Sequence, residues 1–321
     1  MTVLNPSISQ YDYYTNQENM LKDVIQGLTK PEKQLSAKYL YDQKGSALFE
    51  SITNLPEYYP TRTELAIFEE NAEEMRLLAG NAHTIVEYGS GSSKKIQKLI
   101  SLFHELNEYL AIDISKEFLY ESCLELAKLH PDLTIKAVCG DYTNKLPLPV
   151  EKDRKKIVFF PGSTIGNFEP EEAQAFLRNT AESLSTGDGL IIGVDTKKDR
   201  SILEQAYDDA QGVTAAFNLN LLERLNRELH ADFQIEQFEH KAVYNEVEGR
   251  IEMHLRSLTN QQVMIAGQPV VFAQGETIHT ENSYKYSPDE FQHLASQCLF
   301  TPIHVWTDED ELFSVHYMEK R

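Results

Sequence analysis

Cysteine is scarce in this sequence: Cys123, Cys139 and Cys298 are all it has, and their spacings fit neither a zinc site nor a disulfide framework. They read as reduced core thiols. Basic charge is short too, with 30 Lys plus Arg against 50 Asp plus Glu and a formal net charge of -20. A surface of that sign repels a phosphate backbone and an anionic membrane, so nucleic acid and membrane are set aside as partners. No run of about 18 apolar residues occurs, and nothing reads as a membrane-spanning helix. The opening MTVLNPSISQYDYYTNQ has neither the basic nor the apolar segment of a secretory leader. A cytoplasmic monomer is the expectation. The ten histidines are scattered without ligand spacing, and no metal is expected. Against these absences stand 321 residues of 41% hydrophobic content, enough for one large or two ordinary domains with a proper core.

From residue 84 onward, short apolar runs alternate with longer amphipathic stretches. TIVEY (84–88), YLAIDI (109–114), TIKAV (134–138), KIVFF (156–160) and LIIGVD (190–195) read as strands of a parallel sheet covered by helices. Between the last two, EPEEAQAFLRNTAESLSTGDG reads as a helix with acids in its first turn and a Gly-Asp-Gly stop. The rhythm then changes. A helical region over about 199–228 precedes KAVYNEVEGRIEMHLRSL and QQVMIAGQPVVFA, which read as antiparallel hairpins. In SPDEFQHLASQ, Ser287 is an N-cap, Pro288 the first helical residue and Glu290 the far side of a capping box. IHVWTDEDELFSVHYME supplies a terminal strand pair. The architecture is α/β: a doubly wound, Rossmann-like sheet over 65–197 and 287–321, interrupted by an α+β domain of 198–286 that takes in residues 1–64. No internal repeat or low-complexity segment occurs.

In such a sheet, ligands bind at the carboxyl ends of the strands where the strand order reverses. Gly89 and Gly91 of VEYGSGSSKK sit there, behind the acid Glu87. Asp113 ends the second strand, 24 residues after Gly89, where an acid can bind ribose hydroxyls; Asp141 in CGDYT follows the third strand, within reach of an adenine amino group. The third glycine of a dinucleotide turn is missing, and Ser92, Ser93, Lys94 and Lys95 stand at the helix start. S-adenosylmethionine has no phosphate, and an E-x-G-x-G turn suits it better than it suits a dinucleotide. Each acid also has an ordinary reading: Asp113 can cap a helix, and Asp141 can open a turn.

Seven segments together, LPEYYPTRTE (55–64), VEYGSGSSKK, AVCGDY, FFPGSTIGNF, AYDDAQGVTAAFN (206–218), RIEMHLR (250–256) and TENSYKY (280–286), closely resemble the L-histidine Nα-methyltransferases of ergothioneine biosynthesis. The similarity runs nearly end to end. It implies a class I S-adenosylmethionine-dependent methyltransferase fold with an inserted substrate-binding domain, and transfer of three methyl groups to the α-amine of histidine, giving the betaine hercynine. It puts the cofactor on Gly89, Gly91, Lys95, Asp113, Asp141 and Tyr142, the last a tyrosine where the family commonly has Phe. It implies that Tyr58 and Asn167 hold the α-amine, in the catalytic role, and that Tyr207 holds the carboxylate. Glu281 and Ser283 correspond to the imidazole-binding pair and Met253 to the side-chain pocket. Gly162 and Thr164 come from the turn that carries Asn167, and Tyr41 and Phe49 of YLYDQKGSALFE close the site.

An imidazole has two nitrogens, so reading it takes a donor and an acceptor at fixed separation, which Glu281 and Ser283 can supply from one face of an extended strand. By pattern alone, Tyr58, Asn167 and Tyr207 are ordinary hydrogen-bonding residues and Met253 is core packing; the motif match is what assigns them. Three other readings stay open: methylation of another amino acid or small amine, a nicotinamide dehydrogenase disfavoured by Ser92 and Ser93, and a non-catalytic methyltransferase-like scaffold.

Overall fold

The computed structural model describes residues 8–13, 17–91, 94–150 and 154–321. In chain order, β1 (Ser9–Asp12), α1 (Gln17–Leu28), β2 (Lys33–Gln34), α2 (Gln43–Ile52), α3 (Tyr59–Glu70) and α4 (Ala72–Ala79) come first. The alternating region follows as β3 (Thr84–Tyr88), α5 (Lys94–Ile100), β4 (Glu108–Asp113), α6 (Lys116–Leu129), β5 (Thr134–Cys139), β6 (Lys156–Phe160), α7 (Pro170–Ser183) and β7 (Gly189–Asp195). Then α8 (Arg200–Tyr207) and α9 (Val213–Leu229) precede β8 (Phe238–Asn245), β9 (Arg250–Ser257), β10 (Gln261–Ile265), β11 (Gln268–Phe272) and β12 (Thr277–Tyr284). The chain ends with α10 (Pro288–Ser296), β13 (Phe300–Thr307) and β14 (Phe313–Lys320).

Two compact units result, one of residues 8–13, Pro60–Lys197 and Lys285–Arg321, the other of residues 17–59 and Lys198–Tyr284. The first is built on a sheet of order β1-β5-β4-β3-β6-β7-β14-β13. Its strands from β1 to β7 are parallel, and β14 enters antiparallel to β7 on one side and β13 on the other. β3 and β6 adjoin at the reversal of strand order. Both faces are covered, which is why these strands are apolar without alternation. Ile85, Tyr109, Ala137 and Phe159 pack on one face with Ile96, Leu119 and Leu126. Val86, Leu110, Val158 and Phe160 pack on the other with Phe176, Leu177 and Phe291. In α10, Ser287 accepts from the Glu290 N–H and the Glu290 carboxylate accepts from the Ser287 N–H, closing the capping box with Pro288 at the first helical position.

The second unit has a sheet of order β2-β12-β9-β8 and the separate hairpin β10–β11. That hairpin turns on Ala266 and Gly267, with φ of 47° and 81°, the paired left-handed residues of a two-residue turn matched to strand twist. α9 buries Phe217, Asn218, Leu221, Leu222 and Leu225.

Two details depart from the sequence reading, and a third refines it. β1 does not join the insert with residues 17–59 but extends the large sheet, pairing from Ser9↔Lys136 to Asp12↔Cys139, because Ile8 packs on one core face and Tyr11 on the other. The change of unit falls after Tyr59 and Tyr284 instead of Glu64 and Tyr286; Lys285 is held to Asp195 by a buried ion pair, 2.6 Å, and Tyr286 N–H donates to the Asp195 carbonyl. The helical region of 199–228 is two helices, separated where the Asp209 carboxylate takes the Val213 and Thr214 N–H groups. Among the described residues no helix is long and apolar enough to cross a membrane.

Candidate active site

Within the first unit the glycine turn leaves β3 with Gly89 at φ 69° and Gly91 at φ 48°, backbone that an L side chain rarely adopts. Gly89 N–H donates to the Ile112 carbonyl at 2.8 Å, and Gly91 N–H to Asp113 Oδ2 at 3.3 Å. The second carboxylate oxygen accepts from Ser115 N–H at 2.9 Å. Burial raises the Asp113 carboxyl above its ordinary range, against the N–H groups of Ser115, Gly91 and Ile114, which lower it. Ser122 Oγ donates to the Gly91 carbonyl and anchors the turn on α6. Ser90, 5% exposed, has a hydroxyl with no hydrogen-bond partner among the described residues, a group that a bound polar ligand would satisfy. Ser92 and Ser93 lie outside the described residues.

Asp141 sits in the turn after β5, where its Oδ1 accepts from Thr143 N–H at 3.1 Å and from the Thr143 hydroxyl. Tyr142 stacks edge-on with Phe160, Phe168 and Phe176, and its hydroxyl stands 3.5 Å from where a Cβ on Gly89 would be. The ring of Tyr142 and the glycine turn therefore face each other. Glu87 behaves differently from Asp113 and Asp141. Only 1% exposed, it accepts from the Tyr109 hydroxyl inside the sheet layer, and burial pushes its carboxyl well above the usual range.

The turn after β6 carries Gly162 at φ 78° and Ser163 at φ 59°, followed by a 3-10 turn over Thr164–Asn167. Thr164 Oγ1 donates to the Pro161 carbonyl at 2.9 Å, so that hydroxyl belongs to the turn itself. Asp195 N–H donates to Ser163 Oγ at 2.9 Å. Asn167, at the end of the turn and half-buried, makes no side-chain hydrogen bond among the described residues. Lys95 at the start of α5 is paired with Glu64 of α3, Nζ to Oε2 2.6 Å.

In the second unit, Tyr41 meets Phe49 at 5.7 Å between ring centroids and Phe217 at 5.4 Å; Phe49 meets Tyr58 at 6.2 Å, and Tyr58 meets Tyr207 at 6.1 Å. Four expected residues thus form one chain of rings. Phe217, on α9, completes it and was missed: in the AAFN run it looks like any core aromatic. The Tyr207 hydroxyl is 2.7 Å from Ser283 Oγ. On β12, Glu281 lies opposite Met253 and Ser283 opposite Ile251, just past a register shift between His279 and Glu281. Glu281, Ser283 and Met253 are 8%, 2% and 2% exposed.

A buried network supports this group. His240 Nε2 is 2.8 Å from the Tyr207 carbonyl and so carries the proton, leaving Nδ1 to accept from Asn218 Nδ2 at 3.0 Å. Thr280, next to Glu281, donates to Asn218 Oδ1 at 2.7 Å. Burial lowers the His240 pKa, in keeping with the neutral ring this arrangement needs. His240 and Asn218 were invisible in the sequence because their partners are distant in it. Among the described residues no cluster of His, Cys, Asp or Glu can hold a metal ion.

Residues 20–320 match the family described as histidine-specific methyltransferase, SAM-dependent. A histidine N-alpha-methyltransferase of Mycolicibacterium smegmatis is 42% identical over 296 residues, 91% of this chain and 92% of that protein. An ergothioneine biosynthesis protein 1 of Neurospora crassa is 30% identical over 94% of this chain, which spans 35% of that longer protein. A solved S-adenosylmethionine-dependent methyltransferase from Clostridium acetobutylicum superposes with a TM-score of 0.48 and 9% identity, over 80% of this chain and 92% of that one.

Proposed function

The chain belongs to the histidine-specific, S-adenosylmethionine-dependent methyltransferases, and from that premise we propose that it trimethylates the α-amine of L-histidine to hercynine, a step of ergothioneine formation. The enzyme is an S-adenosylmethionine-dependent N-methyltransferase. The observation that carries histidine as the acceptor is the pair Glu281 and Ser283, a buried carboxylate and hydroxyl two residues apart on β12 with Met253 opposite. One imidazole nitrogen donates to Glu281 and the other is met by Ser283, whose hydroxyl is already oriented by Tyr207.

We assign the first unit to the cofactor and the second to the amino-acid side chain. The positive-φ glycines, the Ser90 hydroxyl, which has no partner among the described residues, and the carboxylate of Asp113 fit a nucleoside with a polar amino-acid tail. Bound there, S-adenosylmethionine supplies an electrophilic methyl carbon. Asn167, whose amide has no hydrogen-bond partner among the described residues, orients the α-amine lone pair; the family resemblance gives Tyr58 the same role and Tyr207 the carboxylate. An α-amine has an unperturbed pKa of about 7.7–8.0, so its deprotonation near neutrality costs roughly a kcal/mol and needs no strong base. Each transfer releases one proton, which leaves to Tyr58 or water. The rings of Tyr41, Phe49 and Phe217 tolerate a growing methylated cation through their π faces. A cytoplasmic monomer completes the proposal.

Mass spectrometry of the purified protein with S-adenosylmethionine and L-histidine tests it. Gains of one, two and three methyl masses on the α-nitrogen are expected. Cofactor turnover only with other amines would overturn the histidine assignment and leave the methyltransferase intact.

A further inference from the structure

We propose that Glu64 is a positioning residue that locks the cofactor-side lysine and the turn bearing Asn167 into one geometry; the inference rests on the assignments of Lys95 to the cofactor and Asn167 to the amine. Glu64 lies on α3 and is fully buried. Its Oε2 takes the Lys95 ammonium at 2.6 Å, and both its oxygens accept from Gly162 N–H, at 2.9 and 3.0 Å. One carboxylate therefore fixes the start of α5 and the first residue of the left-handed pair Gly162–Ser163.

The surroundings are shaped around this contact. A Cβ on Gly193 of β7 would stand 2.0 Å from Glu64 Oε1, and one on Gly162 would stand 3.0 Å from Lys95 Nζ. A side chain at Gly193 would displace the carboxylate, and one at Gly162 would crowd the Lys95 ammonium. Lys95 keeps 19% of its side chain exposed while Glu64 keeps none; an ammonium has three donors, and among the described residues only Glu64 is paired with it, which leaves capacity for a ligand. A buried carboxylate with no cation would be costly, so Glu64 and Lys95 hold each other in place. Beyond Gly162, the turn is braced by Asp195 N–H on Ser163 Oγ and by Thr164 Oγ1 on the Pro161 carbonyl, and it ends in Asn167. Methyl transfer requires the amine in line with the breaking S–C bond, and a displacement of about 1 Å can cost a hundredfold. Glu64 sets that relation through Lys95 and the Gly162 turn.

Two double-mutant cycles test the link. In titration calorimetry with S-adenosylmethionine alone, the Kd values of Glu64→Gln, Lys95→Met and the double variant should depart from multiplicativity by at least about fivefold. At saturating cofactor and histidine, Glu64→Gln should lower kcat about tenfold in the wild-type background, with little change in the KM for histidine, and by less than about twofold in Asn167→Ala. Multiplicative Kd values, or a kcat loss that persists in full without Asn167, would overturn the proposal. The calorimetric cycle needs no acceptor, so it still decides the Lys95 link if histidine proves not to be the substrate. Should Glu64→Gln not fold, Glu64→Asp, which keeps the charge and shortens the reach by one carbon, carries the same cycles.

Discussion

Asn167 is the residue whose chemistry is most exposed to test. Its amide makes no hydrogen bond among the described residues, so Asn167→Ala should leave the melting temperature within about a degree while kcat falls roughly a hundredfold through loss of amine orientation. Steady-state kinetics beside a thermal melt check both halves, and a near-normal kcat would remove Asn167 from the catalytic set. His316 makes the opposite case, a titratable group used only for packing. Fully buried on β14, it lies 3.0 Å from Ser314 Oγ through Nε2; that hydroxyl donates to the Val194 carbonyl, so Nε2 carries the proton. Nδ1 has no partner among the described residues and the Phe291 ring lies 5.0 Å away. Burial lowers its pKa from 6.5 to about 3. Since the unfolded chain then binds the proton more readily, the stability contribution is complete above pH 6.5 and is lost as pH falls toward 3, by up to about 1.4 kcal/mol per unit. Denaturant titrations at pH 7 and 5 should show this slope in the wild type and a shallower one in His316→Phe; equal slopes would refute it.

Elements differ in how openly the sequence announces them. α10 is announced by Ser287, Pro288 and Glu290, and the cap forms as local chemistry dictates. Ser287→Ala should cost about 1 kcal/mol, a drop of about 2–4 °C in the melt, without altering kcat. The five parallel strands were legible for a related reason: burial on both faces writes a continuous apolar run. β1 was not legible, because SQYD has no such run and is a strand only by virtue of the edge of β5. The sequence marks the stretch before the hairpins as helical without marking its interruption, which depends on a side chain, Asp209, reaching the N–H groups of Val213 and Thr214. Element type follows from periodicity; element ends follow from contacts unless a local cap writes them, as in α10.

At the scale of the whole molecule, ligand binding to the native state raises its stability, by about 2.7 kcal/mol at a hundred times Kd. S-adenosylmethionine should therefore raise the melting temperature while NAD does not; a shift with NAD instead would restore the dehydrogenase reading. The sequence by itself determined the α/β class, the reversal of strand order beside β3, the glycine turn and the motifs that mark the family, because each is written in residues close together along the chain. It also named the residues from which the site is proposed, Phe217 and Ser90 apart. Only the tertiary structure decided that the terminal strand β14 slips between β7 and β13, that Tyr207 meets Ser283 across 76 residues, and that Glu64 reaches Gly162 across 98. Such contacts are chosen by shape and by the cost of an unpaired buried charge, and neither is visible until the chain has folded back on itself.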